Sequence, residues 1–172
     1  LNYTHTHSPN SDHLAEISIS MYKKKKIKMM EYNDFENFKK TLGKNIHFVI
    51  AYDEDNIPLA YRAILILNDK AWDVAAATSF RGRKLFAGFG IMYEIFKKLI
   101  NISVKEYNLG ALTAKPNGIN AFKIGTGAKE KNYTGEFEYS NVIFLNQLIN
   151  KLISLTLSKK FYSFNFLRRL YF

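Results

Sequence analysis

The chain has 172 residues, no cysteine and a formal net charge of +10. That length fits one domain with a real core, and 47% hydrophobic with 15% aromatic residues argues against disorder. The lack of cysteine excludes disulfides and thiolate metal sites, and no apolar run of about 18 residues exists to form a spanning helix.

Residues 1–20 read as a flexible leader and the start of a first helix. The leader carries no basic-then-apolar signal pattern, and it opens on Leu1, which points to a fragment or an unusual start. His5, His7 and His13 sit in this polar stretch without a carboxylate at ligand spacing, so no metal site is expected. Ser11-Asp12 is a cap for a helix running to about Lys26, with Leu14, Ile17 and Met21 on one face. Lys23–Lys26 read as its solvated side. Asn33-Asp34 opens a second helix, Phe35–Leu42, which Gly43 ends.

The period then changes. His47–Tyr52 and Leu59–Leu67 read as strands, separated by the polar turn Asp53–Pro58. Asn68-Asp69 is a hairpin turn into a third strand, Ala71–Thr78. These form an antiparallel meander. Ser79–Lys84 reads as a basic loop, and Phe86–Ile100 as a helix with Ile91, Met92, Ile95, Phe96 and Leu99 on its apolar face. Val104–Leu109 is a fourth strand. The intervening helix makes it parallel to the third, and the two should diverge at their C-terminal ends. Asn117–Phe122 reads as a short helix and Asn132–Tyr139 as a strand. The tail, 141–172, holds a helix from Val142 to Leu157, then Phe161–Phe172, where aromatics surround Arg168 and Arg169.

This order predicts an α/β (α+β) domain over 21–140: a GCN5-related acetyltransferase-like mixed sheet flanked by helices. The stretch Ile50-Ala-Tyr-Asp, Ile57-Pro-Leu-Ala60, Ala71–Ser79, Glu106-Tyr-Asn-Leu-Gly110, Asn117-Gly-Ile-Asn-Ala-Phe-Lys-Ile-Gly-Thr-Gly-Ala128 and Gly135–Tyr139 resembles the C-terminal half of the Fem-type peptidoglycan aminoacyltransferases. Two departures stand out. Complete Fem-type enzymes carry two such domains where this chain has room for one. Asn108-Leu-Gly-Ala111 also stands where the family has Asp-Leu-Gly-Gly.

The resemblance implies acyl or aminoacyl transfer to an amine of a cell-envelope precursor. Its alternatives are a coenzyme A-dependent N-acyltransferase of surface polysaccharide synthesis, or a non-catalytic docking half of a two-domain transferase. Lys123 would stabilise the oxyanion of the tetrahedral intermediate or hold a phosphate of the donor. Phe122, Asn108, Gly110 and Asn117 would line the substrate, and Arg81, Arg83 and Lys84 would hold a phosphate or an RNA backbone. Asp73 and Asn108, on the strands flanking the split, either orient an amine or serve buried hydrogen bonding. Tyr107 and Trp72 read as core.

No permanent cofactor is expected. The donor would be aminoacyl-tRNA or acyl-coenzyme A, and the acceptor a lipid-linked or carbohydrate envelope precursor. A tRNA, or a second transferase domain or chain, would be a partner. The tail either packs on its own domain or meets a partner or membrane surface. The implied location is cytoplasmic, peripheral at the inner membrane if the tail makes that contact.

Overall fold

In a computed structural model of the chain, the described residues are 1–25, 30–113 and 117–132. Residues 1–125 form one compact unit and 126–172 a second. The expected strand at Asn132–Tyr139, the helix at Val142–Leu157 and the aromatic-basic tail fall almost wholly outside the described residues.

The first unit is built on a five-stranded sheet in sequence order: β1 Asn2–Thr6, β2 Ile46–Tyr52, β3 Pro58–Leu67, β4 Lys70–Thr78 and β5 Glu106–Asn108. The first four run antiparallel, and β5 joins β4 in parallel. The meander and the parallel crossover are as the sequence predicts. The β4–β5 pairing covers only Lys70–Trp72 of β4, opposite Glu106–Asn108. Beyond it, β4 continues to Thr78 without β5 alongside. The split therefore opens where it was expected.

Three expectations are corrected. Residues 2–6 are not a flexible leader but an edge strand, with His5 opposite Val49. Asn-Tyr-Thr-His-Thr lacks the apolar alternation of a core strand, yet pairing with β2 satisfies its backbone. Tyr3 is seated by a glycine: a Cβ on Gly90 would lie 1.9 Å from the Tyr3 hydroxyl oxygen. His7 Nδ1 donates to the Ile46 carbonyl at 2.7 Å, and His5 Nδ1 lies 3.2 Å from His47 Nε2. Burial, with Lys98, His7 and His5 adding to it, drives the His47 pKa down to about 3.

The basic loop is also ordered, as the short helix α3, Phe80–Lys84. Ser79 Oγ caps it by accepting from the Gly82 amide at 3.0 Å. Gly82 is obligatory by close approach, since a Cβ there would lie 2.5 Å from the Leu59 carbonyl oxygen.

Helices cover both faces of the sheet. On one, α4, Ala87–Asn101, lays Ala87, Ile91, Ile95 and Leu99 on Val49, Ala51, Ala60, Ile64 and Ala71. On the other, α1, Ser11–Lys25, and α2, Tyr32–Leu42, bring Leu14, Ile17 and Phe35 onto Phe48, Ile50, Tyr61 and Ala63. Asn10, rather than Ser11-Asp12, caps α1, accepting from the Asp12 amide at 2.9 Å. Ser11 instead donates to Glu36 Oε1 at 2.7 Å, tying α1 to α2. Gly43 closes α2 with φ of +51°, as the sequence predicts. The last described helix is α5, Gly118–Gly125.

Candidate active site

The chemistry-bearing side chains converge where β4 and β5 part. Arg62 on β3 is the single charge in the strand Pro-Leu-Ala-Tyr-Arg-Ala-Ile-Leu-Ile-Leu. A register shift in the β3–β4 pairing lies between Ala63 and Ile64. Arg62 Nη1 donates to Asp73 Oδ2 in a short, nearly buried ion pair. The other carboxylate oxygen, Asp73 Oδ1, is buried and makes no hydrogen bond among the described residues. The same holds for the Tyr107 hydroxyl of β5, whose ring stands edge-on to Phe96 of α4.

Helix α5 closes this corner. Asn117 caps it, its side-chain oxygen accepting from the Ile119 and Asn120 amides at 2.9 Å each. The helix then places the Phe122 ring over the Arg62 guanidinium, 5.1 Å from its carbon, and against Phe89 at 4.9 Å. Lys123 Nζ donates to the Ala111 carbonyl at 2.9 Å. That carbonyl follows a tight bend in which Asn108 Oδ1 accepts from the Gly110 amide at 2.7 Å and Gly110 takes φ of +76°. Lys123 therefore shares one corner with Asn108, Gly110 and Phe122, as the resemblance implies.

The electrostatics are coupled. Burial pushes the Asp73 pKa up to about 6, against the opposing pull of Arg62 and Lys123. Burial also raises Tyr107, with the Asp73 charge adding to it, so this phenol stays neutral at any working pH. Arg62 lies close enough to act on the phenol, though without a hydrogen bond of good geometry. Lys123 is lowered by burial and by Arg62, while Asp73 holds it up. The corner thus offers a carboxylate that accepts a proton near neutrality, beside a half-buried ammonium.

The basic turn is organised differently. Arg81 Nη1 lies 2.7 Å from Asp53 Oδ2 as an ion pair, while Asp53 Oδ1 ties its own turn by accepting from Ile57 and Asp55. Arg83 Nη1 donates to the Thr78 carbonyl at 2.6 Å. Lys84 lies over the Phe80 ring at 4.7 Å, and its side chain is exposed. At the start of α4, Phe86 takes the left-handed conformation with φ of +53°. The first amides of a helix have no intrahelical acceptor. Ala87 and Gly88 open α4 three and four residues after Lys84, whereas Arg81 and Arg83 are tied to Asp53 and to the Thr78 carbonyl. From this turn a row of rings leads to the corner, Phe86 to Phe89 at 6.3 Å and Phe89 to Phe122 at 4.9 Å. Among the described residues no group of three His, Cys, Asp or Glu side chains is placed to hold a metal ion.

No family model and no curated protein matches the chain. Solved structures do. An acetyltransferase of the GNAT family from Staphylococcus aureus Mu50 superposes with a TM-score of 0.62 at 17% identity, over 82% of this chain and 92% of that one. Ribosomal-protein-alanine N-acetyltransferase from Brucella melitensis biovar Abortus 2308 gives a TM-score of 0.60 at 10% identity, over 81% of this chain and all of that one. The chain has the GCN5-related acetyltransferase fold. FemX also matches, with a TM-score of 0.56 at 11% identity, over 68% of this chain but 46% of its own. At such identities what is shared with each is the acetyltransferase-type fold, and the Fem type is not singled out.

Sequence reasoning missed Arg62. The signal was present, as a lone charge inside an otherwise apolar strand whose hairpin partner carries Asp73. Tyr107 was read as core, which describes its ring but not its hydroxyl.

Proposed function

We propose that this chain transfers an acyl group from a coenzyme A thioester to a primary amine, with Asp73 as the proton acceptor. The observation that carries the reading is the buried Asp73 carboxylate. One of its oxygens is held by Arg62 and the other has no partner among the described residues, and its pKa is about 6. An amine attacks a thioester only after losing its extra proton. A carboxylate that titrates just below neutrality takes that proton without being too weak a base.

The amine nitrogen then forms its bond to the thioester carbon, and the carbonyl electron pair moves to oxygen. The Lys123 ammonium, held in this corner by the Ala111 carbonyl, would steady that oxygen. Collapse expels the thiolate, and the nitrogen releases its remaining extra proton to solvent as the amide forms. Lys123 is also the acid available to the thiolate, since burial weakens its hold on the proton. Arg62 positions Asp73 through their ion pair. The turn at Lys84, Ala87 and Gly88 is where the donor's phosphates would sit.

A thioester donor is preferred to aminoacyl-tRNA because the superposed structures include acetyltransferases by name. The narrower acceptor, an amine of a cell-envelope precursor, rests on the Fem-type resemblance and on the likeness to FemX.

The test is thiol release from acetyl-coenzyme A with a panel of primary amines. The rate should rise with pH through about 6 and then level, because Asp73 must be ionised. Asp73→Asn should lower it about a hundred- to ten-thousand-fold and abolish that rise. Thiol release at the blank rate with every amine, or full activity in Asp73→Asn, would overturn the reading.

A further inference from the structure

Helix α4 is apolar on two opposite faces. Ile91, Met92, Ile95 and Leu99 are buried on the sheet. On the far side, Phe86, Phe89, Tyr93, Lys97 and Ile100 follow one another at spacings of three and four, a single stripe along the helix. The four apolar members are 69%, 53%, 64% and 74% exposed in that order. A helix apolar all round is ordinarily buried all round. Among the described residues this one leaves its second apolar face open.

The charge around the stripe is mainly positive. Lys97 lies over the Tyr93 ring at 5.3 Å, and Lys84 stands exposed just before the first ring. The single acid of α4, Glu94, lies at the margin and is neutralised by Lys97 at 3.0 Å. The whole chain carries +10.

We propose that this face of α4 lies on an anionic lipid surface, rings and Ile100 in the acyl boundary and lysines among the headgroups. Three features select that occupant. A second copy on the same face would bring together two chains of like charge, with Lys97 near Lys97 across the axis. A nucleic acid would use the rings for stacking but gain nothing from Ile100, the most exposed side chain of the stripe. A lipid surface takes the aliphatic group, the aromatics and the cations together. The other face of α4 is packed on the sheet, so the contact is interfacial. The proposal does not rest on the acyl-transfer reading.

The experiment is co-sedimentation of the full chain with vesicles of phosphatidylcholine alone and of phosphatidylcholine with phosphatidylglycerol. Pelleting is expected only with the anionic vesicles and should weaken with salt. Tyr93→Ser/Ile100→Ser should reduce the bound fraction about tenfold or more. Lys97→Glu, which keeps the apolar stripe, should reduce it as well, and it carries the test if thermal melting shows the double variant unfolded. Wild type remaining in the supernatant would overturn the proposal. So would folded variants that pellet like wild type, which would put the contact elsewhere in the chain. A lipid-free dimer that Tyr93→Ser/Ile100→Ser dissociates would assign the face to a second copy. Single-stranded RNA binding lost in the same variants, without vesicle binding, would assign it to nucleic acid.

Discussion

Two groups of charged side chains flank β4, and they differ in what surrounds them. Arg81, Arg83 and Lys84 are adjacent in sequence and lie at the surface, and the two arginines are tied to Asp53 and to the Thr78 carbonyl. Arg62, Asp73, Tyr107 and Lys123 are scattered over the chain and meet in a nearly buried corner. There a carboxylate oxygen and a phenol oxygen lack hydrogen-bond partners among the described residues. The first group has more charge per residue. The second has its charges desolvated and facing one another, and that combination moves proton affinities into a useful range. Density of charge along a sequence is a weaker guide to chemistry than a few charges held out of water.

The contrast breaks first at Arg62. Arg62→Met should cost about 3–5 kcal/mol, because it leaves a buried carboxylate without its counter-charge. The loss should also depend on pH. The Asp73 pKa lies above the unfolded value of 3.8, at about 6, so the folded state binds its proton more tightly. Stability from this group is therefore lost as pH rises through the window from about 4 to about 6. Without Arg62 the folded-state midpoint moves higher still. The melting temperatures of variant and wild type should then diverge further at pH 8 than at pH 5. Equal loss at both would place the effect in packing rather than charge.

Arg81→Ala should do much less. Its guanidinium is more than half exposed, so solvent screens the pair with Asp53, and a loss of about 1 kcal/mol or less is expected from denaturant melts. Transfer activity should change little. A collapse of activity with stability intact would move the chemistry to the basic turn and reverse the ranking of the two regions.

Most of the sheet was legible in the sequence because its strands are apolar runs set off by turn residues. Asn68 takes φ of +54° in the β3–β4 turn, as the Asn-Asp pair there leads one to expect. Edge strand β1 was not legible. Its residues are polar, and its partner is forty residues away. Only Tyr3 and Gly90, a ring and the space for it, hint at the pairing. Helix α3 was hidden because a five-residue basic stretch has no apolar period. What orders it is Ser79 below and the Leu59 backbone against Gly82. Lys123, Phe122, Asn108 and Gly110 were expected together through the resemblance, and the structure brings them to one corner. Asn117 was read as a substrate contact, but its oxygen caps α5. Arg62 shows in the sequence as a lone charge in an apolar strand, but its pairing with Asp73 is set by strand register and not by any motif spacing.

The most direct measurement is a carboxyl-carbon NMR titration of Asp73 in the folded chain. Its midpoint should fall near about 6 and rise further in Lys123→Ala, because the ammonium favours the ionised form. A midpoint at or below the ordinary value of 3.8, unmoved by Lys123→Ala, would contradict the assignment of Asp73 as the proton acceptor.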